Sequence, residues 1–448
     1  MGYFDIVSLI MSILFTLFGL VMAHFIVFAI VGLFARKTYP VTEKKNRYGM
    51  IIPARNEEAV VAGLIESIQK NNYPQDKLEI FVIAHNCTDR TEEVARSLGA
   101  TVYRYDNPDE RTMGYAFRYL FSCIERDFGT QNFDGFFLFN ADNLLDKDYV
   151  SRMNDAFEYF GGNSVITSYR NSKNFGSNLI SGLYGMYFAT GCRLESCGRT
   201  VLGCSTRVQG TGYLINSSIV KDGWPYFSLA EDWEFSADQV LQGHIIKYCD
   251  AAIFYDEQPT SLRIMWRQRV RWSRGHLIVF YTRIKDLVKS LFGKGTKRRF
   301  SVYDIFSNVI PSTLFFLVLQ ILQIVLLSIA PLIDPGVTFA QVFFGNLTNP
   351  ILSNGLLFVW LRSLVTSYIT VFAGAIVVFV ADRKRIKGVS FFKKLCIALT
   401  WPLFLGIQLF MDVQALFSKN LGWKPIPHSD KTSFEHVNAE EKTPEKVK

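Results

Sequence analysis

Three short polar groups in this chain each follow an apolar run. Arg55-Asn56-Glu57 comes after Met50-Ile51-Ile52, His85-Asn86 after Leu78 to Ala84, and Asn140-Ala141-Asp142-Asn143 after Gly135 to Phe139. Farther along, Leu229-Ala230-Glu231-Asp232-Trp233-Glu234-Phe235 reads as an acid-rich helix start. Acids suit a helix amino terminus electrostatically, so one reading is a capped helix. The other is a catalytic carboxylate. Residues 261–292 are basic and aromatic, with Arg263, Arg267, Arg269, Arg271, Arg274, Arg283, Lys285 and Lys289 among Trp266, Leu277 and Phe280. Next to a membrane span this pattern predicts amphipathic helices lying on the cytoplasmic leaflet. A nucleic-acid patch has a similar composition, but the neighbouring apolar runs argue against it.

The elements that must position these groups alternate. After strand 50–52, apolar residues at Val60, Val61, Leu64, Ile65 and Ile68 predict a helix over Glu57 to Lys70. A strand over Leu78–Ala84 precedes a helix capped by Thr88 or Asp89 and running to Leu98. Strand Thr101–Tyr105, helix Thr112–Phe128 and strand Gly135–Phe139 follow, then a Gly-bearing strand over Arg207–Asn216. The alternation predicts an open, mostly parallel α/β sheet with flanking helices. Such sheets bind ligands beyond the carboxyl ends of their strands, where the three polar groups fall.

The chain has 448 residues, 49% of them hydrophobic, 15% aromatic and 20% charged. That excludes a disordered or fibrous chain and, because the apolar excess is clustered, argues against a purely soluble one. Ile6 to Phe34 is nearly all apolar, with His24 its most polar interruption. It is too long for a signal peptide and long enough to span. Arg36, Lys37, Lys44, Lys45 and Arg47 follow it, which puts the amino terminus outside and the next stretch in the cytoplasm. Runs near 307–332, 352–381 and 392–416 give about four segments in all, and the basic 382–394 turn is expected to be cytoplasmic. The last run, interrupted by Trp401-Pro402, either crosses or is re-entrant or interfacial. Arg362 either faces a bundle interior or snorkels from a helix end. The net charge of +8 fits membrane-proximal Lys and Arg. The seven Cys, including Cys192, Cys197 and Cys204, suit reduced thiols better than disulfides or zinc. Expected units are a first span at 1–35, a cytoplasmic domain at 48–260, amphipathic helices at 261–300, a membrane region at 301–417 and a polar tail at 418–448, disordered from Lys431.

In order, the chain carries Pro53-Ala54-Arg55-Asn56-Glu57, Asn86-Cys87-Thr88-Asp89, Ala141-Asp142, Gly210-Thr211-Gly212, Glu231-Asp232 and Gln268-Arg269-Val270-Arg271-Trp272. This series resembles the membrane-embedded family-2 glycosyltransferases of the cellulose, chitin and hyaluronan synthase type. The resemblance covers residues 48–290 by motif, and its Gln-x-x-Arg-Trp marks the processive members. It implies a GT-A fold, a UDP-sugar donor, and inversion in one displacement at a cell-membrane, multi-pass protein with a cytoplasmic catalytic domain. It implies Asp232 as general base and Asp142 as ligand of Mg²⁺ or Mn²⁺. Pro53, Ala54, Arg55, Glu57, His85, Asn140, Ala141, Gln268 and Arg271 are the expected donor-binding residues. Gly210, Thr211, Gly212, Glu231 and Trp272 are the expected acceptor-binding residues. Trp272 can stack on a sugar ring, and the fork of Arg271 can pair phosphate oxygens.

Three positions depart from the family pattern. His85 and Asn140 stand where Asp is usual, the first against uracil, and Met113 stands where Lys is usual. The implied partners are a UDP-sugar, a growing polysaccharide, the lipid bilayer and a second copy or accessory subunit, with no nucleic acid. Two other expectations share the fold: a non-processive transferase acting on a lipid acceptor, and an inactive subunit of a synthase complex.

Overall fold

The computed structural model describes residues 1–349, 353–418, 428, 430 and 432–438. Its centre is an eight-stranded sheet in the order β3-β2-β1-β4-β7-β6-β8-β5. The strands are β1 (Tyr48–Ala54), β2 (Leu78–His85), β3 (Thr101–Tyr105), β4 (Gly135–Leu138), β5 (Leu144–Leu145), β6 (Val165–Ser172), β7 (Tyr213–Asn216) and β8 (Ile246–Asp256). Pairs β1–β2, β1–β4, β2–β3 and β6–β8 are parallel, while β7 and β5 run against their neighbours. The sheet is therefore mixed, with a parallel first half, as in GT-A folds.

Side chains alternate across the sheet with period two. On β1, Met50 and Ile52 enter one core with Val61, Leu64, Ile65 and Ile68. Ile51, between them, enters the opposite core with Phe117, Leu120 and Phe121. Both faces are thus covered by helices, which is why β1 and β2 read as unbroken apolar runs.

Element boundaries differ from expectation where the backbone turns at the sheet edge. The first helix spans Val61–Gln69, starting later than Glu57. Residues 55–58 are instead held against the turn after β2: Asn56 takes φ +57° and its Oδ1 accepts from the Thr88 N–H at 2.8 Å. Asparagine tolerates this left-handed conformation better than other side-chain-bearing residues. The Glu57 N–H donates to Thr91 Oγ1 at 2.8 Å. The strand expected over 207–216 is reduced to β7, because Gly210 and Gly212 take φ +79° and +68° and divert the chain into a loop. The amphipathic stretch is one 31-residue helix, Leu262–Phe292. Its Met265, Val270 and Leu277 are buried with residues of the 179–190 helix and of the 356–381 and 391–417 segments, so it lies between the domain and these apolar segments. The Arg299–Val309 helix packs beside it.

Among the described residues four helical segments are long and apolar enough to cross a membrane: Tyr3–Phe34, Ser312–Ile333, Leu356–Ala381 and Phe391–Phe417. Both ends of the last are tied to the domain side. Lys393 Nζ donates to the Gly176 carbonyl at 2.7 Å, and Trp266 Nε1 donates to Gln414 Oε1 at 2.7 Å. Arg362 lies in the second turn of its helix and donates to the Ser353 carbonyl at 2.9 Å, so it serves the helix end.

Buried ion pairs join domain and spans. Asp382, at the end of the Leu356–Ala381 helix, accepts from Arg193 Nε at 3.1 Å and from the Tyr169 hydroxyl at 3.0 Å. Asp304 accepts from Arg199 at 2.7 and 3.0 Å and lies 3.1 Å from His24 of the first span. Asp382→Ala would leave the fully buried Arg193 guanidinium short of its main counter-charge. Losing one partner of a buried pair costs about 3–5 kcal/mol, so thermal unfolding in detergent should show a pronounced loss of stability. A variant as stable as the parent would contradict this account of how the spans are fastened.

Candidate active site

Two cavities meet at the carboxyl edge of the sheet. The smaller, about 200 Å³, is lined by Pro53, Ala54, Arg55, Glu57, His85, Asn140, Ala141, Asp142, Gln268 and Arg271. These are all ten of the residues expected for donor and metal. The larger, about 400 Å³, holds Gly210, Glu231, Asp232 and Trp272. Met113, Asn140, Arg170, Gln268 and Arg271 line both, so they mark the junction. Thr211 and Gly212, expected at the acceptor, line neither cavity. Thr211 is buried, and its hydroxyl accepts from the Asn140 N–H at 2.8 Å and bonds Asn143 Oδ1. Gly212 lies against the Phe254 ring. Thr211 thus holds the 140–143 turn in place from behind, while the Gly212 N–H donates to the Leu138 carbonyl at the end of β4.

Asp232 opens the Glu231–Leu241 helix, and its Oδ1 accepts from the Trp233 N–H at 2.9 Å. Burial raises its pKa above the usual carboxylate range, against the opposing pull of that N–H and of Arg271. Glu231 is pushed up to about 7 by burial and by Asp232. Arg271 is fixed by donating to the Leu229 carbonyl at 3.0 Å. A carboxylate that is basic for its type beside a guanidinium at a cavity junction can take a proton from a hydroxyl. Trp272 belongs to an aromatic wall with Tyr184, Tyr187 and Phe188, the Tyr187 ring being nearly parallel to it at 6.5 Å. Such a wall suits the apolar face of a sugar ring.

At the other end, Asp142 Oδ2 accepts from the Glu257 N–H at 2.9 Å. The imidazole of His428 enters here from the carboxyl-terminal segment. Its Nδ1 lies 3.9 Å from Asp142 Oδ2 and 3.5 Å from Glu257 Oε2, and its Nε2 lies 3.8 Å from Glu57 Oε1. Burial opposes its charge, but the three carboxylates prevail and raise its pKa to about 9. Burial likewise pushes Glu57 up to about 8. Among the described residues no three His, Cys, Asp or Glu side chains stand preassembled around one metal position. His428 Nδ1 is nonetheless buried and without a hydrogen bond among the described residues. The Asp142 carboxylate, with Glu57 and Glu257 near the same imidazole, fits a divalent cation whose other ligands come from phosphate oxygens and water, and His428 could join it only by giving up its proton to the cation's charge.

Several lining residues escaped the sequence reading. Arg170 stands at the junction, ion-paired to Asp256 and 3.5 Å from the centre of the Phe188 ring. Glu257, two residues before Pro259, lines the smaller cavity. His428 lies in the polar tail, and nothing in its neighbours' spacing points to the sheet edge. The cysteines are all free thiols, as expected.

The model of the family described as "Glycosyltransferase like family 2" matches residues 46–275, just over half of the chain. The chain belongs to that family. It is 27% identical over 284 residues to a probable glycosyltransferase, YdaM, of Bacillus subtilis, covering 60% of this chain and 63% of that one. It is 23% identical over 279 residues to the poly-beta-1,6-N-acetyl-D-glucosamine synthase of Staphylococcus aureus, covering 59% of this chain and 61% of that one. In both cases the match spans less than two thirds of the relative. Among solved structures, the mannosyltransferase PcManGT of Pyrobaculum calidifontis, in complex with GDP-Man and Mn²⁺, aligns with 92% of this chain and 99% of its own. Its TM-score is 0.53 at 12% identity, a likeness of fold.

Gly212 tests the wall behind the site. A Cβ there would lie 2.0 Å from the Phe254 ring, whereas one on Gly210 would meet only Asp232 Oδ2 at 3.7 Å. Both positions carry the left-handed penalty of about 1–2 kcal/mol. Gly212→Ala adds overpacking of about 1–3 kcal/mol and should melt clearly below Gly210→Ala. Equal melting temperatures would refute the packing argument.

Proposed function

We propose that this protein is a membrane-embedded, inverting glycosyltransferase that polymerises a β-linked polysaccharide from a UDP-sugar and passes the chain toward its membrane helices. The observation that carries the reading is the junction. A donor-sized cleft opens, through five shared residues, into an aromatic-walled cavity that holds Asp232. That cavity continues along Ile310 to Leu314, at the start of the Ser312–Ile333 helix.

The acceptor hydroxyl attacks the anomeric carbon of the donor and gives its proton to Asp232. The carbon–oxygen bond to the diphosphate breaks on the opposite face, which inverts the configuration, and UDP leaves with the bonding electrons. Arg271 and Gln268 face the departing oxygens. Gln268 Oε1 is buried without a hydrogen bond among the described residues, an acceptor open to a sugar hydroxyl, while its amide N–H groups are the donors that a phosphate oxygen needs. Trp272 holds the acceptor ring against the donor. A divalent cation, when bound by Asp142 and His428, supplies charge neutralisation at the diphosphate. The catalytic domain faces the cytoplasm in this reading, and the carboxyl-terminal segment lies on the same side, since Glu435 pairs with Lys70 at 2.7 Å. The Mn²⁺-bound mannosyltransferase and the poly-beta-1,6-N-acetyl-D-glucosamine synthase support the metal and the polymer respectively.

Purified protein in detergent with Mg²⁺ or Mn²⁺ should release UDP from one member of a UDP-sugar panel. The product should be a polymer digestible by a linkage-specific hydrolase. A single-sugar product on lipid would favour the non-processive alternative, and no turnover with any donor would favour the inactive-subunit one. Asp232→Asn should lower turnover about 10²–10⁴-fold. The base works only when ionised and its pKa is raised, so turnover should fall as pH drops through a value above the ordinary Asp range. An acid limb at or below that range would contradict the assignment.

Metal use is checked separately. Asp142→Asn and His428→Ala should each raise the Mn²⁺ concentration for half-maximal turnover about tenfold or more. Variants with unchanged metal dependence would remove those residues from the metal site.

A further inference from the structure

Three cations gather where the first span meets the domain. Lys37 follows Phe34, the last residue of that span, and Lys247 is the second residue of β8. Tyr39 ties these two segments together, because its hydroxyl donates to the Tyr248 carbonyl at 2.8 Å. Arg298 directly precedes the Arg299–Val309 helix and takes φ +60°. That helix is joined to the start of β8 through Ser205, whose N–H donates to Ser301 Oγ at 3.1 Å and whose Oγ accepts from the Ile246 N–H at 3.0 Å. Burial, with the charges of Arg298 and Lys37, lowers the Lys247 pKa to about 8, so both neighbours act on it.

None of the three has an ion-pair partner among the described residues, and the acids on the same elements are already engaged. Asp250 of β8 pairs with Arg385 at 2.7 Å, Glu158 with Lys44 at 2.9 Å, and Asp304 with Arg199 at 2.7 Å. What holds the two ammonium groups is aromatic. Lys37 Nζ lies 4.8 Å from the centre of the Tyr159 ring, and Lys247 Nζ lies 4.9 Å from that of Phe160. These rings, at the end of the Tyr149–Tyr159 helix, are 5.1 Å apart, and Tyr39 packs on both. A ring face attracts a cation without neutralising it, so the positive charge remains for an anion. Phe34, Leu202 and Phe300, on the segments that form the cluster, are exposed apolar side chains. The Phe300 ring lies 6.2 Å from that of Phe28 in the first span.

We propose that Lys37, Lys247 and Arg298 form a site for the phosphate of an anionic phospholipid headgroup, whose acyl chains lie along Phe34 and Phe300. This rests on the membrane-embedded part of the proposed function and on none of its transferase chemistry. The donor cleft lies elsewhere. Asp256, at the far end of β8, lines that cleft, and its partner Ser172 stands six steps along β6 from Ile166, the partner of Lys247. Six steps of strand are roughly 20 Å. Position favours a lipid over a free anion. A phosphate beside exposed apolar side chains at the end of a span can carry acyl chains that cover them, and a free phosphate cannot. Each Lys or Arg near an anionic headgroup strengthens the attachment about fivefold.

The test is binding of short-chain phosphatidylglycerol and phosphatidylcholine to the full-length, detergent-solubilised protein, read by native mass spectrometry. Phosphatidylglycerol should bind at least about tenfold more tightly. That comparison needs no variant, and equal binding would overturn the inference. Lys37→Gln, Lys247→Gln and Arg298→Gln should each weaken phosphatidylglycerol about fivefold and leave phosphatidylcholine unchanged. Lys247→Arg, which keeps the charge, should keep the preference. Lys384→Gln, on the exposed basic 382–394 turn, should have no effect. If Lys384→Gln weakens binding as much as Lys247→Gln, the attraction is that of a basic surface at large, and the site falls. Displacement of phosphatidylglycerol by an equal concentration of inorganic phosphate would assign the cluster to a free anion and overturn the lipid. Release of the protein from membranes by alkaline carbonate would overturn the membrane reading and this inference with it. Equal binding of the two lipids by a chain that stays embedded overturns the inference alone.

Discussion

Arg271 donates to the Leu229 carbonyl, and Gly275, one turn later, lies so close to Ala230 that a Cβ there would be 2.6 Å from the Ala230 Cβ. The long Leu262–Phe292 helix can rest on the turn before Asp232 only because that position has no side chain. From this contact the rest of the site follows. It places Gln268, Arg271 and Trp272, on successive turns of one helix, over the open edge of a sheet whose loops carry the acids. Arg271 then faces both cavities. A helix held a few ångströms farther out would leave Asp232 and Glu231 to water, and their pKa values near ordinary ones.

The same helix is bound on its outer side. Arg269 donates to Gln408 at 2.9 Å and to the Phe404 carbonyl at 3.0 Å, with its guanidinium over the Phe404 ring. The segment Phe391–Phe417 thus bears on the helix that roofs the site. Elsewhere the domain is joined to the spans by Asp382 with Arg193 and by Asp304 with Arg199. Buried pairs of this kind are weak evidence for net stability but strong on registry, because a mismatched docking leaves a charge without its partner. A catalytic edge that must face a membrane cavity needs that registry more than it needs free energy.

Much of this was legible in the residues. The β-α alternation to Phe139 gave strands within a residue or two of their positions, because apolar period and turn residues both act locally. The donor-cleft residues were legible for the same reason, since strand ends define the binding edge. Two kinds of feature were not. Gly210 and Gly212 lie in a pattern that reads as strand, and only their positive φ reveals the loop. His428 and Arg170 reach the site through tertiary contact from remote segments, so neither has a local signal. Thr211 and Gly212 were motif members by type, but the loop before β7 turns them against Asn140, Asn143 and Phe254 rather than into either cavity.

The departures from the family pattern become coherent when charge is considered together with hydrogen bonding. Asn140 replaces a carboxylate, but its backbone N–H and the Asn143 side chain still anchor the turn to Thr211, so Asp142 keeps its place. His428 sits among Glu57, Asp142 and Glu257, so the metal end already gathers three acids around one imidazole. A further Asp at 140 would add repulsion there. Met113 lines the junction without charge, where Arg170 and Arg271 already supply two guanidiniums. His85 brings an imidazole to the cleft in place of a negative charge. Charge is thus redistributed over the two cavities, which a residue-by-residue comparison with the family pattern does not register.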